Sequence, residues 1–233
     1  RNRLIYTLIC IAIVRLGTLL PAPAVNRDYT NEVFNSQALG FFNSITGGSF
    51  SKLSIFALSI TPYISSSIIV QLLTIAIPKL EEMQKEGEDG RKKINELTRY
   101  LTVVLAVIES LAMAIGFGNQ GALEGGLTFT NLIIIVASFT AGSTFLMWLG
   151  EKITQNGVGN GISIILTVNI ISSLPADFVG LYQTYIKGQS VVKAVLAIIL
   201  IVLISLALIA YVVVLQDAER RIPVTYAKKI QGR

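Results

Sequence analysis

Two ionisable residues sit where water is scarce. Arg15 interrupts the apolar run Leu4–Leu20, and Glu109 lies in the middle of Leu101–Phe117. Charged side chains inside apolar spans face a protein interior or a water-filled path by default. As a pair they could form the coupling site of a transporter. The plainer reading of Arg15, about five residues from the end of its run, is that it snorkels toward the interface. For Glu109 the plainer reading is a polar contact inside a helix bundle.

Other reactive chemistry is scarce. There is no histidine, which removes the commonest metal ligand and the commonest general base. The single cysteine, Cys10, lies in an apolar run and has no disulfide partner. Gly157-Val-Gly-Asn-Gly161 looks like a phosphate cradle at a glance. It lacks the Lys-Ser/Thr ending and no strand precedes it, so a tight turn is the better reading. No zinc spacing and no Ser/His pair appear. The expectation is a protein that is not an enzyme and carries no cofactor or metal, with energy supplied by a partner or a gradient.

A different kind of chemistry is written into Ile55–Pro78. This stretch is apolar enough to enter a membrane, yet Pro62 breaks it and Thr61, Ser65, Ser66, Ser67 and Gln71 stud it with polar groups. In lipid, such features are tolerated where they face protein or a water-filled cavity. The segment should line something.

The elements that must position it follow from hydropathy. Of the 233 residues, 52% are hydrophobic and 14% charged, against about 25% charged in a soluble domain. Apolar runs near the ~20 residues of a membrane-crossing helix recur, and the ~10-residue alternation of a barrel does not. The fold class is an all-α, polytopic helical membrane bundle of about six spans, near 4–20, 55–77, 101–117, 129–149, 162–174 and 191–215. The fifth is short for a span. Residues 38–51 are too short and polar to cross. Leu39, Phe42 and Ile45 recur at three-residue steps, giving a short amphipathic helix hinged at Gly47-Gly48, which suits a re-entrant element. Segments 79–99 and 151–161 read as solvated loops, and 118–126 as a glycine-rich turn.

A cleaved signal peptide is the rival reading of the first span, with Ala22-Pro23-Ala24 as the cleavage site, but Arg15 splits the apolar core it would need. The chain opens at Arg1 without a methionine and stops in a basic stretch, and so reads as part of a longer protein.

Most of the 19 Lys and Arg fall in the N-terminus, 79–99, 151–161 and the tail 217–233. The positive-inside rule places these in the cytoplasm. The tail carries Arg220, Arg221, Lys228, Lys229 and Arg233 around an extended Pro223-Val224-Thr225-Tyr226. A basic ribbon of this kind suits an acidic partner, including ribosomal RNA.

Longer motifs now combine. Ile60–Leu73 (ITPYISSSIIVQLL), Lys85–Ile94 (KEGEDGRKKI), Thr98-Arg99-Tyr100, Met147–Ile165 (MWLGEKITQNGVGNGISII) and Ala218–Arg233 (AERRIPVTYAKKIQGR) resemble the bacterial SecY family, the channel subunit of the Sec translocon. The resemblance runs along the whole chain in the family's order and matches the first half of a pseudo-symmetric ten-helix channel, spans one to six. It implies a protein-conducting channel of the bacterial cytoplasmic membrane that passes unfolded secretory polypeptides and releases transmembrane segments sideways into lipid.

It also implies roles. Residues 38–51, with Phe41, Phe42, Ile45, Gly47 and Gly48, would form the plug. Ile60, Ile64, Ile162 and Leu166 would form part of an apolar pore ring that seals by dewetting, Leu166 standing where the family usually has isoleucine. Ser65, Ser66, Ile68, Ile69, Gln71 and Leu72 would belong to a lateral gate for signal sequences. Arg220, Arg221, Lys228, Lys229 and Arg233 would meet cytoplasmic partners. The implied partners are SecE, SecG, the SecA motor and the ribosome. The competing reading from the residues alone is a secondary transporter with broken helices and a midplane site near Glu109.

Overall fold

The computed structural model describes residues 1–26 and 40–218, without the side chains of Phe41 and Val191. It divides into two units, Arg1–Pro175 and Ala176–Arg233. Among the described residues the regular elements are all helical, with two isolated β-bridges, Pro21 with Ser54 and Val25 with Leu123.

The first unit holds α1 (Asn2–Thr18), a single short turn of helix α2 (Gly40–Ile45), α3 (Thr61–Ala76), α4 (Pro78–Lys85), α5 (Glu88–Gly118), α6 (Phe129–Asn156) and most of α7 (Gly161–Leu181). Among the described residues of both units, four helices are long and apolar enough to cross a membrane, or five if the bent pair α3–α4 counts as one span. At 17 residues, α1 is about 25 Å long, just short of a ~30 Å hydrocarbon core.

Each helix has a local cause. Pro62 occupies the first turn of α3, where its missing N–H is harmless. Pro78 opens α4 in the same way, and the chain turns by 101° between the two. Glu88 and Asp89 sit in the first turn of α5 and complement its dipole. In α6 the buried set Ile135, Phe139, Gly142, Leu146, Leu149 and Ile153 recurs at three- and four-residue steps, one face of a helix.

Segment 79–99, expected as a loop, is helical except for a short turn. Glu81–Lys85 and Asp89–Lys92 pairs at helix spacing support it. Gly90 is buried because the Met83 carbonyl of α4 packs where a side chain would stand. These glycines mark an elbow and not a coil. The fifth apolar run is likewise longer than 162–174. Helix α7 continues through Pro175 to Leu181. The proline removes one backbone hydrogen bond, a loss that membrane helices absorb.

Two packed clusters form the core. One joins Cys10 and Val14 of α1, Phe56 and Ile60, Leu146, Leu149 and Ile153 of α6, and Ile165 of α7. The other lies toward the non-helical end, around Leu53, Ala57, Met113, Ala122 and Phe139. At that end the linkers lace together: Ala22 N–H donates to the Leu53 carbonyl at 3.0 Å, and Asn26 N–H to the Ala122 carbonyl at 2.9 Å.

Between helices, small residues and hydroxyls replace bulk. Ser66 and Thr102 share a hydrogen bond of 2.6 Å between α3 and α5, and Ser110 and Thr140 one of 3.2 Å between α5 and α6. Such contacts hold helices together where lipid offers no hydrophobic drive.

The second unit contains the end of α7, a π-helical turn Tyr182–Ile186 and α8 (Val191–Gln216). α8 is apolar on every face and none of its described side chains is buried.

Candidate functional site

The α6–α7 connection creates the site. Asn160 caps α7, its Oδ1 accepting the N–H of Ile162 at 3.0 Å and of Ser163 at 3.3 Å. Thr154 Oγ1 accepts the Gly161 N–H at 2.9 Å. A Cβ at Gly161 would collide with the Gly150 carbonyl, so the glycine permits the closest approach of the two helices. Thr7 of α1 accepts the Val158 N–H at 3.2 Å and ties the turn down. The glycine-rich motif is thus a capped, tightly packed turn.

This packing leaves a cavity of about 560 Å³ between α3, α5, α6 and α7. Its polar side is made by Tyr63, Ser67, Asn95, Arg99, Glu151, Thr154, Gln155, Asn160 and Ser163. Its apolar side is made by Ile64, Ile68, Ile162 and Leu166. Arg99 Nε donates to Glu151 at 2.8 Å within it. The arrangement combines polar and branched apolar side chains around a space able to admit a flexible solute.

Three of the four ring candidates, Ile64, Ile162 and Leu166, meet on this cavity. Ile60 does not. It is 0% exposed and packs in the cluster with Cys10, Phe56 and Ile165. The reason is its place just before α3, where the backbone has not yet entered the helix (φ −98°, ψ 5°).

The gate candidates divide by helix face. Ile68, Ile69, Gln71 and Leu72 are exposed and Ser65 is half-buried. Ser66 is 0% exposed and turned to Thr102 of α5.

The segment assigned as plug is described from Gly40 onward, and Ala38 and Leu39 lie outside the described residues. Phe42 and Phe50 pair at 6.0 Å, and Phe50 meets Phe117 edge-on at 5.8 Å. Ile45 is half-buried. Gly47 and Gly48 adopt φ +64° and +87°, a region that favours glycine. Phe42, Thr46 and Phe50 border a second cavity of about 230 Å³, with Thr61 and Glu109 on its wall. The basic candidates Arg220, Arg221, Lys228, Lys229 and Arg233 lie outside the described residues.

Sequence reasoning passed over the Arg99–Glu151 pair and Asn169. The pair is 52 residues apart and flanks two different apolar runs, so no local pattern joins it. Asn169 carried a signal, as a lone amide within an apolar run.

The SecY family profile matches residues 54–233. The chain is 42% identical to the protein translocase subunit SecY of Pseudomonas aeruginosa over 99% of its own length and 52% of that protein. Identity to the SecY of Halalkalibacterium halodurans is also 42%, over 100% of this chain and 55% of the relative. The chain therefore spans about half the length of the relatives it matches. Among solved structures, a protein-conducting channel and Sec61 from a canine ribosome–channel complex each align with 79% of this chain and 38% of their own, at TM-score 0.52 and 18% identity. That likeness concerns the fold. With the family profile covering most of its residues and such identity along nearly its full length, the chain belongs to the SecY family.

Proposed function

We propose that this chain supplies about half the wall of a protein-conducting channel, passing unfolded polypeptides through the membrane and releasing apolar segments sideways into lipid. One observation carries the reading. α3 and α7 bring Ile64, Ile162 and Leu166 together on a cavity that also carries polar side chains, and the same α3 turns Ile69 and Leu72 outward. A constriction of branched apolar side chains excludes water and ions yet yields to a passing chain. The outward face of α3 offers an apolar signal helix a surface continuous with lipid. Residues 38–51 act as the plug beneath it.

In this reading the channel lies in the bacterial cytoplasmic membrane with the N-terminus, α4 and the tail in the cytoplasm. SecE, SecG, the SecA motor and the ribosome are its partners. Arg220, Arg221, Lys228, Lys229 and Arg233 supply the basic contact. The transporter alternative is less favoured because the Glu109 cavity is walled chiefly by apolar side chains, among them Phe42, Leu58 and Met113.

The test is a full-length channel in proteoliposomes carrying Ile64→Cys or Ile162→Cys. A stalled secretory precursor should cross-link to both positions. Absence of cross-links at both, with the precursor demonstrably engaged, overturns the reading.

A further inference from the structure

Arg15 meets the plug segment at a polar point that contains an unused acceptor. Arg15 of α1 reaches out of its apolar run and donates from Nη1 to the Gly47 carbonyl at 3.3 Å. On the other side of Gly47 stands Asn169 of α7, 1% exposed. Its Nδ2 donates to Ser59 Oγ at 3.3 Å. Its Oδ1 is buried and has no hydrogen-bond partner among the described residues.

Gly47 is the spacer between the two. A Cβ placed on it would lie 2.6 Å from Arg15 Nη1 and 3.1 Å from both Oδ1 and Cα of Asn169. The guanidinium and the open amide oxygen therefore flank the same point, separated by one glycine. A buried acceptor left unmade is costly, and a guanidinium is a multiple donor that can satisfy it.

We propose that Arg15 is a shared donor, bonded to Gly47 while residues 40–51 are seated and transferred to Asn169 Oδ1 when they leave. The exchange replaces one charge-assisted bond by another. The segment can therefore depart without stranding a cation inside the membrane. Asn169 and Arg15 are positioning residues, and the inference rests on the reading of 40–51 as a plug.

The two side chains must then act with opposite sign. Losing the Arg15 bond destabilises the seated state. Losing the Asn169 acceptor relieves the seated state of an unmet group and deprives the released state of its partner. A purely structural role would loosen the segment in both variants.

Ser49 supplies the reporter. It is 0% exposed and its Oγ has no partner among the described residues, so Ser49→Cys changes little and is shielded while the segment is seated. In the full-length channel in proteoliposomes, the rate of labelling of that thiol by a water-soluble maleimide measures release. Cys10, also buried, gives the background in the parent. Arg15→Gln should raise the rate about tenfold, and Asn169→Leu should lower it by a similar factor. Arg15→Lys should fall between the parent and Arg15→Gln. Thermal unfolding of each purified variant separates release from misfolding.

Faster labelling in Asn169→Leu with unchanged thermal stability overturns the exchange, as does an unchanged rate in Arg15→Gln. Ion conductance through the same liposomes tests the underlying reading separately. If labelling shifts as stated and conductance does not follow, the shared donor stands and the segment is not the seal.

Discussion

Arg99 Nε and the Glu151 carboxylate meet at 2.8 Å, joining α5 to α6 on the wall of the larger cavity. The arginine side chain is 45% exposed and the glutamate 21%, so water screens the pair. Reversing one charge should lower stability, and reversing both should recover most of the loss. A double-mutant cycle on Arg99→Glu and Glu151→Arg, read by thermal unfolding in detergent, should return about 0.5–1 kcal/mol of coupling. A coupling of zero would make the contact incidental.

Ser66 and Thr102 are both 0% exposed and share a 2.6 Å hydrogen bond. Each hydroxyl also lies within reach of a carbonyl in its own helix, Ser66 of Tyr63 and Thr102 of Thr98, so that one donates across the pair and the other to its own helix. Neither hydroxyl is stranded when the other is removed. The cycle on Ser66→Ala and Thr102→Val should therefore give only about 0.6 kcal/mol, the usual size of an interhelical bond in lipid.

Two glycines within helices should respond differently to alanine. At Gly142 a Cβ would strike the Ile55 carbonyl, whereas at Gly116 nothing lies within 4 Å. Gly142→Ala should cost about 1–3 kcal/mol through overpacking. Gly116→Ala should be neutral or stabilising by up to ~1 kcal/mol through helix propensity. Unfolding temperatures of the two variants, measured side by side, decide this.

Ile60 and Ile64 are four residues apart and should separate stability from sealing. Ile60 is fully buried, and Ile60→Ala should cost about 2–5 kcal/mol. Ile64 borders the cavity and is half-buried, and Ile64→Ala should raise ion leakage through the complete channel at a smaller cost in stability than Ile60→Ala. Equal leakage from both variants at equal stability would place both on the pore.

The helical class and the apolar runs were legible because hydropathy is a local property of the chain. The extent of α4, α5 and α7 was not. Segment 79–99 read as a loop and the fifth span as ending at residue 174, while the Met83–Gly90 contact that packs α4 against α5 is tertiary. The family resemblance grouped Ile60 with Ile64, and Ser66 with Ile68. That Ile60 packs against α1 and α6, and Ser66 against α5, is visible only in the folded chain. Arg15 stood out as a charge in an apolar run and Asn169 was passed over, and their meeting across Gly47 depends on how α1 and α7 fold around the linker.

The hydroxyl bonds have a mechanical consequence. Ser66–Thr102 fastens α3 to α5, and Ser110–Thr140 with Arg99–Glu151 fastens α5 to α6. Among the described residues, the outward face of α3, with Ile69 and Leu72, carries no such fastening. A sideways opening along α3 would then swing a three-helix panel and not a single rod. Its frame would be α1 and α7, and its stiffness would depend on serine and threonine hydroxyls more than on any large side chain.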